Sequence, residues 1–303
     1  MLSFWKPWYV RRPSQVLRRV YRAVTGTPAG TVPVTTPWGM TLEVDPRETL
    51  GRALWTTGVY DLAASEVLFR LAVPGGLHMD VGANIGYMTS LLAFRAGPTG
   101  RVLAFEPHPV VGERLAKNVE RIGRYPHAAP VELHAVALSD ADGDGRLIDP
   151  AGFGANAGLA RLSTSGEVGG SPVRTRRLDD VLGERTAVVT KIDVEGHEAA
   201  VLRGAGRALA EGRLCHLLFE EHGPTDAESF RLLARAGYAL FQVGWRMSGP
   251  VLADLSAPRV CKPYEAPNYL ATLEPDAAQA ACARRGWFVL KGRLPRSADR
   301  SAT

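Results

Sequence analysis

Apolar strands and amphipathic helices alternate from Leu77 to Leu273, a glycine-bearing loop follows the first strand of the series, and an acid closes the second. Together these predict an α/β protein, Rossmann-like, with a mainly parallel seven-stranded sheet and helices on both faces.

The elements follow in order. After Pro13-Ser14, a suitable N-cap, Val16, Leu17, Val20, Tyr21 and Val24 fall on one helical face, with Arg18, Arg19 and Arg22 opposite. Thr31–Thr36 and Met40–Val44 alternate around Pro37-Trp38-Gly39, which predicts a β-hairpin. Residues 48–72 read as helix, broken near Gly58 and stopped by Pro74-Gly75-Gly76. Then come strand Leu77–Val81, helix Tyr87–Arg95, strand Arg101–Phe105 and helix Pro109–Ile122, whose proline suits a first turn. Val131–Leu138 is the third strand of the series. Residues 140–175, rich in Asp, Gly and Ser, read as a long loop of the kind that forms lids. Strand Val188–Ile192, helix Glu198–Ala210, strand Cys215–Glu220, helix Ala227–Ala236, strand Tyr238–Val243 and strand Asn268–Leu273 complete the series. The implied division is a basic amphipathic segment 1–26, a hairpin and helical extension 27–75, a catalytic domain 76–275 and a tail 276–303, disordered from Arg293.

Composition narrows the function classes. The net charge of +5 lies in the first 24 residues, which hold six basic side chains and no acid, while the remainder has 30 basic against 31 acidic residues. A near-neutral body does not predict a nucleic-acid binder. The basic head predicts docking on the body or on another subunit, or contact with an anionic membrane surface. No apolar run is long enough for a bilayer span, and the apolar start precedes its arginines, the reverse of a secretory signal, so a cytoplasmic location is expected. Cys215, Cys261 and Cys282 show no C-x-x-C spacing and predict free thiols.

In an open parallel sheet, ligands sit at the carboxyl ends of the strands. The first such loop is Asp80-Val-Gly82-Ala-Asn84-Ile-Gly86, where Gly82 permits a turn closed to other side chains and Gly86 lets the helix start near its strand. Glu106 ends the second strand, 20 positions after Gly86, where a carboxylate can accept both hydroxyls of a ribose. Asp80 stands where a dinucleotide site has its first glycine. An acid there opposes a pyrophosphate but suits the ammonium of a methionine moiety, so S-adenosylmethionine is favoured over NAD.

The run Asp80 to Thr89 resembles motif I of the FkbM-type methyltransferases. Phe105-Glu106-Pro107, Ala137-Leu138-Ser139-Asp140, Arg177-Leu178-Asp179-Asp180 and Lys191-Ile-Asp193-Val-Glu195-Gly196-His197-Glu198 follow in that family's order. The resemblance covers roughly residues 76–245, with Asn268-Tyr269-Leu270 also similar. It implies a class I methyltransferase fold and acceptor hydroxyls on sugars or natural products. It also implies cofactor contacts from Asp80, Gly82, Asn84, Gly86, Glu106, Ser139, Asp140 and Asp193. His197 departs from the family, which often has a small residue there.

Loss of the acceptor's proton calls for a base, and His197, His222 and Asp193 are the candidates. Glu220-Glu221-His222 follows the fifth strand, and with Asp193 these carboxylates resemble the oxygen ligands by which catechol-type enzymes hold magnesium. The expected acceptor is a small hydroxylated sugar or glycosylated metabolite. Rival readings are an NAD-dependent oxidoreductase and a non-catalytic adenosyl-binding module.

Overall fold

The computed structural model of the chain describes residues 7, 20, 22, 24–149, 160–163, 169–261 and 265–293. The head lies mostly outside these residues. Within it, Val20 and Val24 are exposed and Arg22 stacks over Trp55, 4.5 Å from the ring centroid.

The hairpin is β1 (Val32–Thr35) against β2 (Thr41–Val44). Helix α1 (Thr49–Thr57) ends at Gly58, whose φ of 78° gives the left-handed cap that glycine takes without strain. Helix α2 (Leu62–Leu71) is capped by the Asp61 side chain, which accepts from Ala64 N–H at 3.1 Å. The alternation then runs β3 (Leu77–Val81), α3 (Tyr87–Ala96), β4 (Arg101–Phe105), α4 (Pro109–Ile122) and β5 (Val131–His134).

Here the structure departs from the sequence reading. The run Val131–Leu138 is not one strand: β5 stops at His134, and β6 (Ala137–Ser139) belongs to a second sheet. The stretch expected to be a loop contributes β7 (Gly143–Ile148), β8 (Arg161–Ser163) and β9 (Ser171–Arg177) to that sheet, in the order β6-β9-β7-β8. Residues 150–159 and 164–168 of the expected lid lie outside the described residues.

Helix α5 (Leu178–Leu182) leads into β10 (Ala187–Ile192), α6 (Glu198–Gly204), α7 (Gly206–Ala210), β11 (Leu214–Glu220), α8 (Glu228–Arg235), β12 (Ala239–Arg246), β13 (Gly249–Asp254), β14 (Asn268–Thr272) and α9 (Pro275–Ala283). The main sheet is ordered β13-β12-β14-β11-β10-β3-β4-β5. Its five strands from β11 to β5 are parallel, whereas β14, β12 and β13 pair antiparallel. The main sheet has eight strands where seven were expected: the third is shortened to β5, and β13 is added at the edge. The chain builds β3, β4 and β5 outward in one direction, then returns to place β10 on the other side of β3. That reversal leaves a crevice at the carboxyl ends of the strands.

Each sheet face has its own apolar layer. On one, Val189, Leu218, Leu270 and Phe241 pack with the hairpin, α2, α3 and the segment after α9. On the other, Met79, Val81, Phe105, Ile192 and Phe219 pack with α5 to α8. Burying a side chain of this size stabilises the fold by about 1.5–3 kcal/mol.

The segment expected to be a tail therefore builds core: Trp287 is fully buried. It is anchored by a charged clamp. Glu66 of α2 accepts from Arg70 Nε at 2.7 Å and from the N–H groups of Phe288 and Val289 at 2.9 Å. Arg70 in turn donates to the carbonyl oxygens of Ala281, Cys282, Arg284 and Gly286 at 2.7–3.1 Å. No described helix is long and apolar enough to cross a membrane.

Candidate active site

A cavity of about 290 Å³ opens at the crevice, lined by the loops after β3, β4, β10 and β11, with Tyr60, Asp61 and Asn268 on the near wall.

The loop after β3 is tied down by its own backbone. Gly82 and Ala83 both donate to the Phe105 carbonyl, and Asp193 N–H donates to the Val81 carbonyl. Gly82 has φ +80°, and a Cβ there would collide with the Asp193 carbonyl oxygen, so this glycine serves the approach of two strand-end loops. Gly86, φ +90°, sits against Leu115 of α4. Asn84 also has positive φ, 50°, and its side-chain oxygen accepts from Ile85 N–H at 2.8 Å.

Asp80 is buried at the end of β3. Its Oδ2 accepts from Thr89 Oγ1 at 2.5 Å, while Oδ1 has no hydrogen-bond partner among the described residues. Burial pushes its pKa up, partly opposed by the charge of Lys191. A buried carboxylate oxygen left unpaired costs about 1–3 kcal/mol or more, the mark of a site built for a ligand.

Glu106 is buried at the end of β4, and each of its oxygens is already oriented. Oε2 accepts from Asn84 N–H and Oε1 from His108 N–H, both at 2.9 Å. Burial still dominates over these two bonds and raises its pKa to about 7. Each oxygen retains a lone pair, so the carboxylate can accept two further hydrogen bonds on the cavity side.

Third-strand residues behave differently from expectation. The cavity wall there is Val136, Ala137 and Leu138. Ser139 reaches the cavity through His197, whose Nε2 is 2.9 Å from Ser139 Oγ. Asp140 is exposed and paired with Arg203 at 2.8 Å, and Arg203 also holds Glu228 at 2.9 Å. Their backbone step into the second sheet moves both side chains off the wall.

At the end of β10, Lys191 Nζ donates to Asp193 Oδ2 at 2.6 Å. Beyond β11, His222 Nε2 lies 2.6 Å from Glu220 Oε1. Burial and the neighbouring Asp193 raise Glu220 to about 7, and the same two causes raise Glu195 to about 7. Asp61, raised to about 6 by burial, accepts from Asn268 Nδ2 at 2.7 Å.

The two candidate histidines sit in different surroundings. His197 is half-buried beside Ser139, Asp140 and Arg203, and burial lowers its pKa. His222 is exposed beside Glu220, with Glu195 nearby. Glu198 is a structural acid, accepting from the N–H groups of Val194 and Gly196.

The magnesium reading is not supported by this arrangement. Glu221 is occupied by Gly223 N–H at 2.8 Å and by Ser229 Oγ at 2.6 Å, and it does not line the cavity. Asp193 already holds an ammonium. Among the described residues no three His, Cys, Asp or Glu side chains are grouped to hold a metal.

Sequence reasoning missed Lys191, Tyr60, Asp61 and Asn268 as site residues. Only Lys191 had a usable signal: it lies two residues before Asp193, which directly follows the strand, so an extended backbone puts both on the same face.

Comparison with known proteins bears on this geometry. A family model described as the methyltransferase FkbM domain matches residues 80–240. The chain is 32% identical over 190 residues to the AMB antimetabolite synthetase AmbE of Pseudomonas aeruginosa, covering 50% of this chain and 9% of that protein. It is 32% identical over 163 residues to the hexuronic acid methyltransferase AglP of Haloferax volcanii, covering 52% of this chain and 61% of that one. The chain thus spans less than two thirds of either relative. Among solved structures, a methyltransferase FkbM from Methylobacillus flagellatus aligns with TM-score 0.44 at 15% identity, over 87% of this chain and 59% of that one. An S-adenosylmethionine-dependent O-methyltransferase from Thermotoga maritima aligns with TM-score 0.43 at 15% identity, over 82% and 95%. The family match begins at the orphaned Asp80, runs through Glu106, Asp193 and His222, and covers more than half of the sequence: the chain belongs to the FkbM methyltransferase family.

Proposed function

We propose that the chain transfers a methyl group from S-adenosylmethionine to a hydroxyl of a sugar or related natural product. The observation that carries the reading is the pair Asp80 and Glu106, two buried carboxylates at adjacent strand ends that line one cavity. Asp80 Oδ1 suits the ammonium of a methionine moiety, and the two oxygens of Glu106 suit the hydroxyls of a ribose. Asp80 stands where a dinucleotide site has its first glycine, and its charge would repel a pyrophosphate, which disfavours the NAD-dependent oxidoreductase. The sugar acceptor is suggested by the relative that methylates a hexuronic acid.

S-adenosylmethionine, when bound, supplies a methyl group already activated on sulfur. The protein must then align the acceptor, exclude water and take a proton. We assign the last task to His222, which pairs with Glu220 at the cavity. With its Nε2–H donated to Glu220, Nδ1 carries the lone pair that can remove the acceptor's hydroxyl proton, and Glu220 stabilises the resulting imidazolium. His197, held by Ser139 beside Ala137 and Leu138, orients the donor's end of the cavity.

Calorimetric titration with S-adenosylmethionine and with NADH tests the donor. Binding of the first and not of the second is expected, and the reverse would sink the proposal. Mass spectrometry across hydroxylated sugars and glycosylated metabolites then seeks the gain of one methyl group. A protein that binds the donor but turns over no acceptor would favour the non-catalytic module.

A further inference from the structure

Strand register places one cation among three acids. In the parallel ladder Lys191 of β10 pairs with Asp80 of β3 on one side and Leu218 of β11 on the other. Ile192 pairs with Phe219, so Asp193 stands beside Glu220. Paired residues of a ladder share a face, as do residues two apart along a strand. Asp80, Lys191, Asp193 and Glu220 therefore project from one face at the carboxyl edge of three adjacent strands, and all four line the cavity.

Lys191 is buried, with 8% of its side chain exposed. Burial alone would lower its pKa, but the charges of Asp193, Asp80 and Glu220 more than offset that, and the ammonium is favoured. An ammonium has three N–H donors, and Asp193 takes one at 2.6 Å. A divalent ion seated on Asp193 would have to displace Nζ from an oxygen it already holds.

On the methyl-transfer reading above, we propose that the Lys191 ammonium is the electrostatic partner of the acceptor oxygen, doing the work that a carboxylate-bound divalent cation does elsewhere. It donates a hydrogen bond to the acceptor hydroxyl and holds the negative charge that develops there as the proton leaves for His222. The oxygen–methyl bond forms, the methyl–sulfur bond breaks with its electron pair on sulfur, and Lys191 keeps its own protons throughout. A fixed, buried charge is effective in this role because it needs no reorganisation during the reaction. Asp193 aims the ammonium, which explains why a lysine stands in a strand whose other side chains are uncharged.

An oxyanion probe tests this without knowledge of the natural acceptor. The full chain is saturated with sinefungin, an unreactive donor analogue with an ammonium in place of the sulfonium. It is then titrated with 4-nitrophenol, whose ionised form absorbs at longer wavelength. Wild type is expected to hold a phenolate-to-phenol ratio about tenfold or more above that of Lys191→Met, the shift an opposite charge at contact produces. Lys191→Arg should restore part of it. Should Lys191→Met fold poorly because Asp193 is left unpaired, the double variant Lys191→Met with Asp193→Asn removes the pair together and is expected to show the same low ratio. Equal ratios in wild type and variants would overturn the proposal, and so would absence of nitrophenol binding. Failure of wild type to bind sinefungin or S-adenosylmethionine would instead strike at the methyl-transfer reading itself.

Discussion

Glu106→Gln separates what this carboxylate costs the fold from what it does for the ligand. Burial raises the Glu106 pKa from 4.5 to about 7, so the ligand-free fold binds a proton there that the unfolded chain releases. For a carboxyl raised in this way, the contribution to stability is fully present below pH 4.5 and is lost as pH rises through about 7. The loss runs at about 1.4 kcal/mol per pH unit in that window and totals about 3 kcal/mol. Glutamine keeps the shape but does not titrate. The stability of wild type minus that of Glu106→Gln should therefore fall by about 3 kcal/mol between pH 4.5 and 8. Other titrating groups cancel in this difference, and any constant cost from mismatching Asn84 or His108 N–H shifts the curve without bending it. Urea unfolding of the ligand-free protein across that range measures it. A difference that stays constant to within about 0.5 kcal/mol would refute the reasoning, because uncertainty in such differences is about that size. In the same variant S-adenosylmethionine should bind about 10- to 100-fold more weakly, the loss expected for hydrogen bonds to a charged acceptor.

Other outcomes follow from the same geometry. Gly82→Ala forces a side chain into both a positive φ and the Asp193 carbonyl, so donor binding should be lost and thermal unfolding should move down by several degrees. Calorimetry and a melting curve check both. Glu66→Ala leaves the Arg70 guanidinium buried without its counter-charge, and should cost about 3–5 kcal/mol in chemical denaturation. A cost near zero would show that the clamp is replaceable by water. His222→Ala should lower turnover by about 10²–10⁴ at little change in donor affinity, whereas His197→Ala should act mainly on donor affinity. The opposite pattern would exchange their roles. Methyl transfer should survive exhaustive chelation, and a loss restored by added magnesium would contradict the place given to Lys191.

What the sequence disclosed depended on its punctuation. The strands Leu77–Val81 and Arg101–Phe105 and the helix Pro109–Ile122 match the expected ends, because Gly75-Gly76, Gly97-Pro98 and Pro107-His108-Pro109 mark them sharply. Val131–Leu138 misled because a strand that changes sheets keeps its apolar alternation through the step at Ala135-Val136. Residues 140–175 hid three short strands behind glycines and acids, since a small sheet with little core of its own carries a weak pattern. Helix α9 was invisible for another reason: its Ala-rich sequence has no apolar stripe, and only Ala278 and Cys282 are buried. Asp80 and Glu106 were legible as site residues because they stand at strand ends. Asp61 and Asn268 are brought to the cavity from distant segments, a contact that spacing along the chain does not encode.

The clamp of Glu66 and Arg70 separates two boundaries that are easily confused. The family match stops at residue 240, yet the guanidinium grips four carbonyls between Ala281 and Gly286. Recombination breakpoints placed at the edge of the family match would cut through β12 and discard β14, the strand beside Glu220, and would open a buried ion pair to water. Breakpoints tolerated in laboratory chimeras should therefore cluster before the hairpin and after Leu290. The portable unit is set by where charge is hidden, and it is longer than the stretch that reads as catalytic.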